Sequence, residues 1–295
     1  MISSKWIGRA LGAALLVSIG SVSGCQCGDP PEGPPTLIKE LSVRKVDVDL
    51  AVPEPEAPFW KKVPTGIIKL EAQPMVAPRP EATNTGEVLV QAAHDGKNLA
   101  LRLRWKDPEK SEAGPLGAYS DALAIQFPVK PGAPPPIMMG GKGQPVHIFH
   151  WRAQYQRDAE KGKPEMAELY PHMSVDMYPH EFKTTDAGAP SSRETYSPGK
   201  AMGNPQSYAK KGVDEIVAEG FSTSSVQEGH GSAAKGAWAN GEWTLVIVRP
   251  LAVEGGSTLS TNDKSNIAFA VWQGGKGEVG SRKSVTMTWT PVVVQ

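Results

Sequence analysis

The sequence predicts a mainly β protein: an antiparallel β-sandwich with a few short helices and long loops. Three observations carry this expectation. Leu99, Leu101, Leu103 and Trp105 alternate with Ala100, Arg102 and Arg104, the period of two expected of a strand with one buried face. A second apolar run, Val88 to Ala93, precedes it, and the intervening His94-Asp95-Gly96-Lys97-Asn98 carries an Asp-Gly turn signal, so the two read as a hairpin. The chain of 295 residues holds 27 Pro and 31 Gly and only short apolar runs, a composition that disfavours a helical bundle.

From the N-terminus, Lys5 and Arg9 precede the apolar run Ala10 to Val17. That run is too short to span a bilayer and has the layout of a secretory signal. It ends in Val22-Ser23-Gly24-Cys25, which resembles a lipobox. Residues 1–24 are therefore expected to be a lipoprotein signal peptide, with Cys25 acylated. Gln26 follows, where an Asp would favour retention at the inner membrane, so the expected location is the periplasmic side of the outer membrane. Residues 25–36 are rich in Pro and Gly without apolar periodicity and read as a disordered tether. Residues 37–295 form the domain, long enough to bury one large core. The two cysteines are Cys25 and Cys27; with the first lipidated, no disulfide framework is expected.

Further strands are expected at Leu123 to Phe127, Val146 to Trp151, Trp243 to Val248, Ile267 to Trp272 and Val285 to Val293. One short helix is expected at Val213 to Glu219, where Val213, Ile216 and Val217 have helical spacing and Gly220 suits a C-terminal cap. Residues 157–212 are polar and Pro-rich and read as loops over one end of the sheets.

The composition narrows the chemistry. Thirty-one basic and 31 acidic residues balance, which gives no electrostatic footprint for nucleic acid. There is no G-x-S-x-G elbow, P-loop or HExxH, and no CxxCH for covalent attachment of a c-type haem. His147 and His150 look like a metal pair, but positions three apart on a strand face opposite sides. His172 and His180 lie in a Met- and Tyr-rich stretch that fits either a soft-metal site or loop packing. The most unusual segment is Pro134 to Trp151, where Met138 and Met139 sit on a Pro- and Gly-rich loop just before a strand. A thioether on a rigid loop is a soft ligand suited to haem iron. It is equally an apolar plug beneath a loop.

Several segments, in order, resemble one family. They are Ala57-Pro58-Phe59-Trp60 with Ile67 to Gln73, then Val88 to Gly96 leading to Leu103-Arg104-Trp105-Lys106-Asp107, then Asp121 to Pro128. The Met-Gly loop follows, running into Pro145 to Ala153, then Gly199 to Pro205, Trp243 to Leu251, and Ala268 to Gly274 leading to Glu278 and Lys283-Ser284-Val285. This order and spacing is similar to the haem b-binding γ subunits of ethylbenzene dehydrogenase, dimethylsulfide dehydrogenase and related periplasmic molybdenum enzymes, a DMSO reductase-like haem-binding domain. The resemblance covers Phe59 to Trp289. It implies a β-sandwich holding a non-covalent haem b between a Met and a Lys. The Met carries over onto Met139, with Met138 the adjacent alternative, and the Lys onto Lys283. Arg249 and Arg282 are cations that fit a haem propionate. Val279 stands where the family often has an Arg.

Two protein ligands leave no open position on the iron, so the resemblance implies an electron-transfer protein rather than a catalyst. The partners it implies are redox proteins: molybdenum and iron–sulfur subunits, and a soluble cytochrome. The alternative is a non-redox β-sandwich lipoprotein binding carbohydrate or another small ligand through exposed aromatics. Trp105, Trp151, Trp243, Trp272 and Trp289 fall in or at the ends of expected strands, which makes most of them core and weakens that reading. The lipobox predicts that Cys25→Ala leaves an uncleaved or mislocalised precursor. Fractionation and lipid labelling check this, and labelling equal to the native chain would exclude the anchor.

Overall fold

The computed structural model describes residues 34–112, 114–164, 166–172, 202, 212–227, 231–261 and 264–295. The signal peptide, Cys25, Cys27, most of the tether, His180 and the segment from Gly199 to Ala201 lie outside these. Fifteen strands are found among the described residues. The first six are β1 (Thr36–Leu37), β2 (Leu41–Lys45), β3 (Gly66–Lys69), β4 (Glu71–Ala72), β5 (Glu87–His94) and β6 (Asn98–Lys106). Next come β7 (Ala122–Pro128), β8 (Val146–Arg152), β9 (Val213–Ala218), β10 (Ser225–Gln227) and β11 (Ala233–Ala239). The last four are β12 (Glu242–Pro250), β13 (Lys264–Trp272), β14 (Ser284–Val285) and β15 (Thr290–Val294). Two helices, α1 (Ala153–Lys161) and α2 (Met166–Leu169), follow β8.

Eleven of the strands form one hydrogen-bonded path in the order β10-β9-β8-β7-β13-β15-β2-β5-β6-β12-β11, and β1, β3, β4 and β14 pair off it. One run, β10 to β13, makes one layer of a sandwich; β5 to β11 makes the other; β15 and β2 link them. Pairing is mostly antiparallel, but β1–β3, β15–β2 and β2–β5 are parallel. The expected hairpin is β5–β6, with His94 opposite Leu99. Its turn is held by Asp95, whose carboxylate accepts the Lys97 and Asn98 amides, and Gly96 takes the positive φ of 92°.

Alternation decides the core. Leu99, Leu101, Leu103 and Trp105 of β6 meet Leu123, Ile125 and Phe127 of β7 and Phe149 and Trp151 of β8 in one buried cluster. Trp105, Trp151 and Trp243 form its aromatic centre, with ring centroids 5.0 to 6.1 Å apart.

Three expectations are corrected. Val213 to Glu219 is not a helix: Val213–Ala218 is strand β9, paired antiparallel with β8. Val213, Ile216 and Val217 are β-branched and favour an open strand edge, so their helical spacing was overridden by tertiary pairing. Second, Val285 to Val293 is not one strand. Ser284–Val285 and Thr290–Val294 both pair with β13, but the partner sums shift by two positions between them, so Thr286 to Trp289 bulge out. Third, the segment expected to be loop from residue 157 begins inside helix α1, which opens at Ala153 directly after β8 and ends at Gly162 with a φ of 81°.

Arg249, expected near a cofactor, is instead a structural bolt between the layers. Its guanidinium is fully buried and donates to Ser257 Oγ and O, both at 2.6 Å, and to the carbonyls of Pro250 and Leu251. It also lies 5.2 and 5.1 Å from the rings of Phe127 and Phe149. Ser257 bonds His147 Nδ1, and His147 Nε2 stands 3.4 Å from Glu215. Burial lowers the Arg249 pKa only to about 10, so it stays charged at neutral pH. Arg249→Met therefore strands several buried acceptors and removes the positive charge that faces Glu215. It should lower stability by about 3–5 kcal/mol, read from denaturant midpoints. An unchanged midpoint would show that the network bears no part of the fold.

Candidate functional site

The layer β9-β8-β7-β13 is apolar on both faces. Odd-numbered residues of β7, β8 and β13, such as Ile125, Phe149 and Phe269, belong to the core. Even-numbered ones turn outward: Ala122, Ala124, Ile148 and Trp272 form a second buried cluster on that face, with Ala270 and Ile216 packed against it. The floor is thus built largely of alanine, which leaves room above it. A cavity of about 390 Å³ lies there, within the range of small-molecule and cofactor sites.

Two chain excursions roof it. The first is the Met-Gly loop, and Ile137, Met138 and Met139 all line the cavity. The loop is pinned from several sides: Trp289 Nε1 donates to Pro135 O at 2.8 Å, Gln126 Nε2 to Ile137 O at 2.6 Å, and Gly220 N to Met139 O at 2.7 Å. Met139 has a φ of 63°, uncommon for a residue with a side chain and a mark of a conformation held by its surroundings. Met139 also packs against the floor cluster. The next residue must be glycine. A Cβ on Gly140, at φ 79°, would stand 2.6 Å from Gln144 O and 3.1 Å from Ala218 O.

The second excursion runs from Gln273 into β14 and contributes Gly280, Ser281 and Lys283. The Lys283 Nζ lies 4.8 Å from the centroid of the Trp272 ring. Its backbone is held by Gln73, whose N–H donates to Lys283 O at 3.1 Å and whose side chain donates to Ser281 O at 2.9 Å. Lys283 has no carboxylate partner among the described residues, and burial pushes its amine down to about 8. His150 lies beside it, stacked on Trp272 at 4.9 Å. Burial, reinforced by the Arg152 and Lys283 cations, pushes this imidazole well below its ordinary pKa, so it is neutral. Its Nε2 is shielded from solvent and has no hydrogen-bond partner among the described residues. A native protein seldom leaves such an atom orphaned unless a ligand or water completes it.

The structure thus brings Met138, Met139 and Lys283 into one cavity from segments far apart in sequence. Arg249 does not line it. Arg282 does not line it either; its guanidinium lies 5.8 Å from the Tyr119 ring. His147 and His150 do face opposite sides, one in the Arg249 network and one in the cavity. No group of three or more His, Cys, Asp or Glu side chains placed to hold a metal occurs among the described residues. The donor set is instead a thioether, an amine tending to neutrality and a neutral imidazole around an apolar slot. That set suits an iron carried by a flat macrocycle, which brings its own equatorial ligands and needs one or two axial ones. Sequence reasoning missed His150, Gln73 and Arg152 as cavity residues. For His150 the signal was present, since its parity on β8 matches that of the outward-facing Ile148.

Comparison with known proteins shows the family of the chain. The family described as Ethylbenzene dehydrogenase matches residues 57–284. A respiratory nitrate reductase heme subunit of Haloferax mediterranei is 26% identical over 251 residues, covering 84% of this chain and 70% of that protein. The dimethylsulfide dehydrogenase subunit gamma of Rhodovulum sulfidophilum is 24% identical over 242 residues, covering 80% and 73%. The chlorate reductase subunit gamma of Ideonella dechloratans is 24% identical over 287 residues, covering 96% and 93%.

The Lys283 environment makes a prediction for the cofactor-free chain. Its folded pKa is about 8 against an ordinary 10.5. Between these values the unfolded chain binds the extra proton, so stability should rise with pH from about 8 to 10. Lys283→Met should abolish that rise. Denaturant midpoints across the interval check this, and an identical slope in the variant would show that the amine is not buried.

Proposed function

Because the chain belongs to the ethylbenzene dehydrogenase family, we propose that it is a b-type cytochrome subunit that carries electrons between redox proteins and is not itself the catalyst. The observation that carries this reading is the cavity lined by Met139 and by Lys283, whose amine has no carboxylate partner among the described residues, over an apolar floor. When bound, haem supplies an iron that accepts and returns one electron.

The residues divide the work. Met139, or Met138 beside it, offers a thioether that favours the reduced metal. The pinned loop holds that sulfur without further ordering. Lys283 offers an amine lone pair, which requires loss of its proton, and burial over Trp272 already favours that loss. The alanine floor and the surrounding Ile148 and Val285 give the slot an apolar lining. A haem iron held by both Met139 and Lys283 would keep no position for substrate or oxygen. No CxxCH exists, so the haem is held without covalent links.

The same reading extends to partners and place. The relatives named above are subunits of reductases and a dehydrogenase, which supports redox partner subunits for this chain. In this proposal they are molybdenum and iron–sulfur subunits on one side and a soluble cytochrome on the other. The lipobox supports an anchor at Cys25 on the periplasmic side of the outer membrane. The carbohydrate reading has little to rest on, since Trp60, Trp105, Trp151, Trp243 and Trp272 are all buried.

Acid–acetone extraction should release the haem, and absence of a Soret band from haem-supplemented protein would refute the proposal. Met139→Ala should lower the reduction potential and open a coordination position, whereas Met138→Ala should do neither. The reverse result would move the ligand by one residue. Lys283→Arg should lose the native low-spin spectrum, because guanidinium stays protonated. A falling pH should likewise convert the native spectrum to a high-spin form, with the proton competing for the amine.

A further inference from the structure

A second cavity of about 290 Å³ adjoins the first and shares with it the walls His150, Arg152, Trp272 and Gly280. Its character is different. Where the first is floored by alanine and isoleucine, the second is lined by Ser120, Arg152, Gln154 and Glu278. Arg152 lines this polar end, and Arg282 stands against its wall residue Tyr119. Arg152 uses one N–H on the Tyr155 hydroxyl at 2.7 Å and lies 4.7 Å from that ring. Arg282 uses its Nε on Gly277 O at 3.0 Å and lies over Tyr119, a wall residue of the second cavity. Neither forms an ion pair with a carboxylate among the described residues. Each therefore keeps most of its five donors. The one carboxylate on the wall, Glu278, is turned away, its oxygens accepting the Gln273 amide at 2.8 Å and Asn84 Nδ2 at 2.9 Å. Between the two cavities stands His150, with the orphaned Nε2.

We infer that Arg152 and Arg282, with His150 at the boundary, bind the carboxylate side chains of the tetrapyrrole and so fix which of its edges is buried. The arrangement has the polarity that such a ligand requires: an apolar slot for the ring, with the forked Arg152 on the polar wall and Arg282 beside the wall residue Tyr119. Arginine suits this role because its planar fork matches a carboxylate with two parallel bonds. Tyr155 and Tyr119 hold the forks by stacking rather than by charge, which leaves the positive charge free for the ligand. The inference rests on the haem reading and adds to it an orientation: the carboxylate-bearing edge would face Arg152, at the wall shared with the second cavity.

The test titrates the full chain, freed of haem, with iron protoporphyrin IX and with its dimethyl ester, following the Soret band. The free acid should bind at least about tenfold more tightly than the ester, since charge-assisted pairs are lost on esterification. In Arg152→Gln/Arg282→Gln the free acid should fall to the affinity of the ester, while the ester is bound as by the native chain. Arg152→Lys and Arg282→Lys, which keep charge without the fork, should each retain part of the preference. Equal affinity of the native chain for acid and ester would overturn the inference and leave the haem reading standing. A native preference that survives the double substitution would overturn the assignment to these arginines. Binding of neither compound would instead refute the haem reading itself. The native comparison decides for or against carboxylate recognition even where the double variant does not fold.

Discussion

One layer of the sandwich, β9-β8-β7-β13, must bury both of its faces, and the rest of the structure follows from that constraint. Strand side chains alternate, so residues of one parity enter the core and those of the other parity point outward. On β7, β8 and β13 both parities are apolar, as in Leu123-Ala124-Ile125 and Ala268-Phe269-Ala270-Val271. The inward set is large and fills the space around the tryptophan cluster. The outward set is small and cannot fill space by itself. It is covered by two excursions of the chain instead, the Met-Gly loop and the segment running into β14, and the gap between floor and roof is the cavity.

The roof is fixed by hydrogen bonds to its backbone, because a Pro- and Gly-rich loop has no ladder of its own. Trp289, Gln126 and Gly220 reach the Met-Gly loop from three different elements. Gln73 does the same for the Lys283 segment, and its buried side chain makes four hydrogen bonds to close the turn at Met75 and Val76 and tie it to Ser281. Each donor atom is thus placed by contacts behind it, not by contacts within the cavity. This is the condition for a ligand site that is formed before its ligand arrives.

Two buried cations show the difference between a group that builds the fold and one kept for a ligand. Arg249 lies at zero exposure, and its donors meet carbonyl and hydroxyl oxygens at 2.6 to 3.0 Å. Its charge is satisfied within the protein. Lys283 has an aromatic face and apolar walls but no anionic partner among the described residues, so its charge is penalised and the amine tends to neutrality. The sequence does not separate them, since both are basic residues beside strands. Only the surroundings do.

The sequence by itself determined the two-layer β architecture, the β5–β6 hairpin and the opposed orientations of His147 and His150, because period-two alternation and turn chemistry are local. The resemblance of its segments to a haem-binding family named Met138, Met139 and Lys283 before any contact was known. What only the tertiary structure decided was where strand edges find partners and which polar groups remain unpaired. Val213–Ala218 became a strand because the edge of β8 was open to it. The run from Val285 to Val293 split in two because β13 offers it two registers. Arg249 was taken into the core network, while Gln73, distant in sequence, was brought to the same cavity as His150 and Arg152 of β8. Those outcomes depend on long-range pairing and on the balance of burial against hydrogen bonding, which no window of sequence contains.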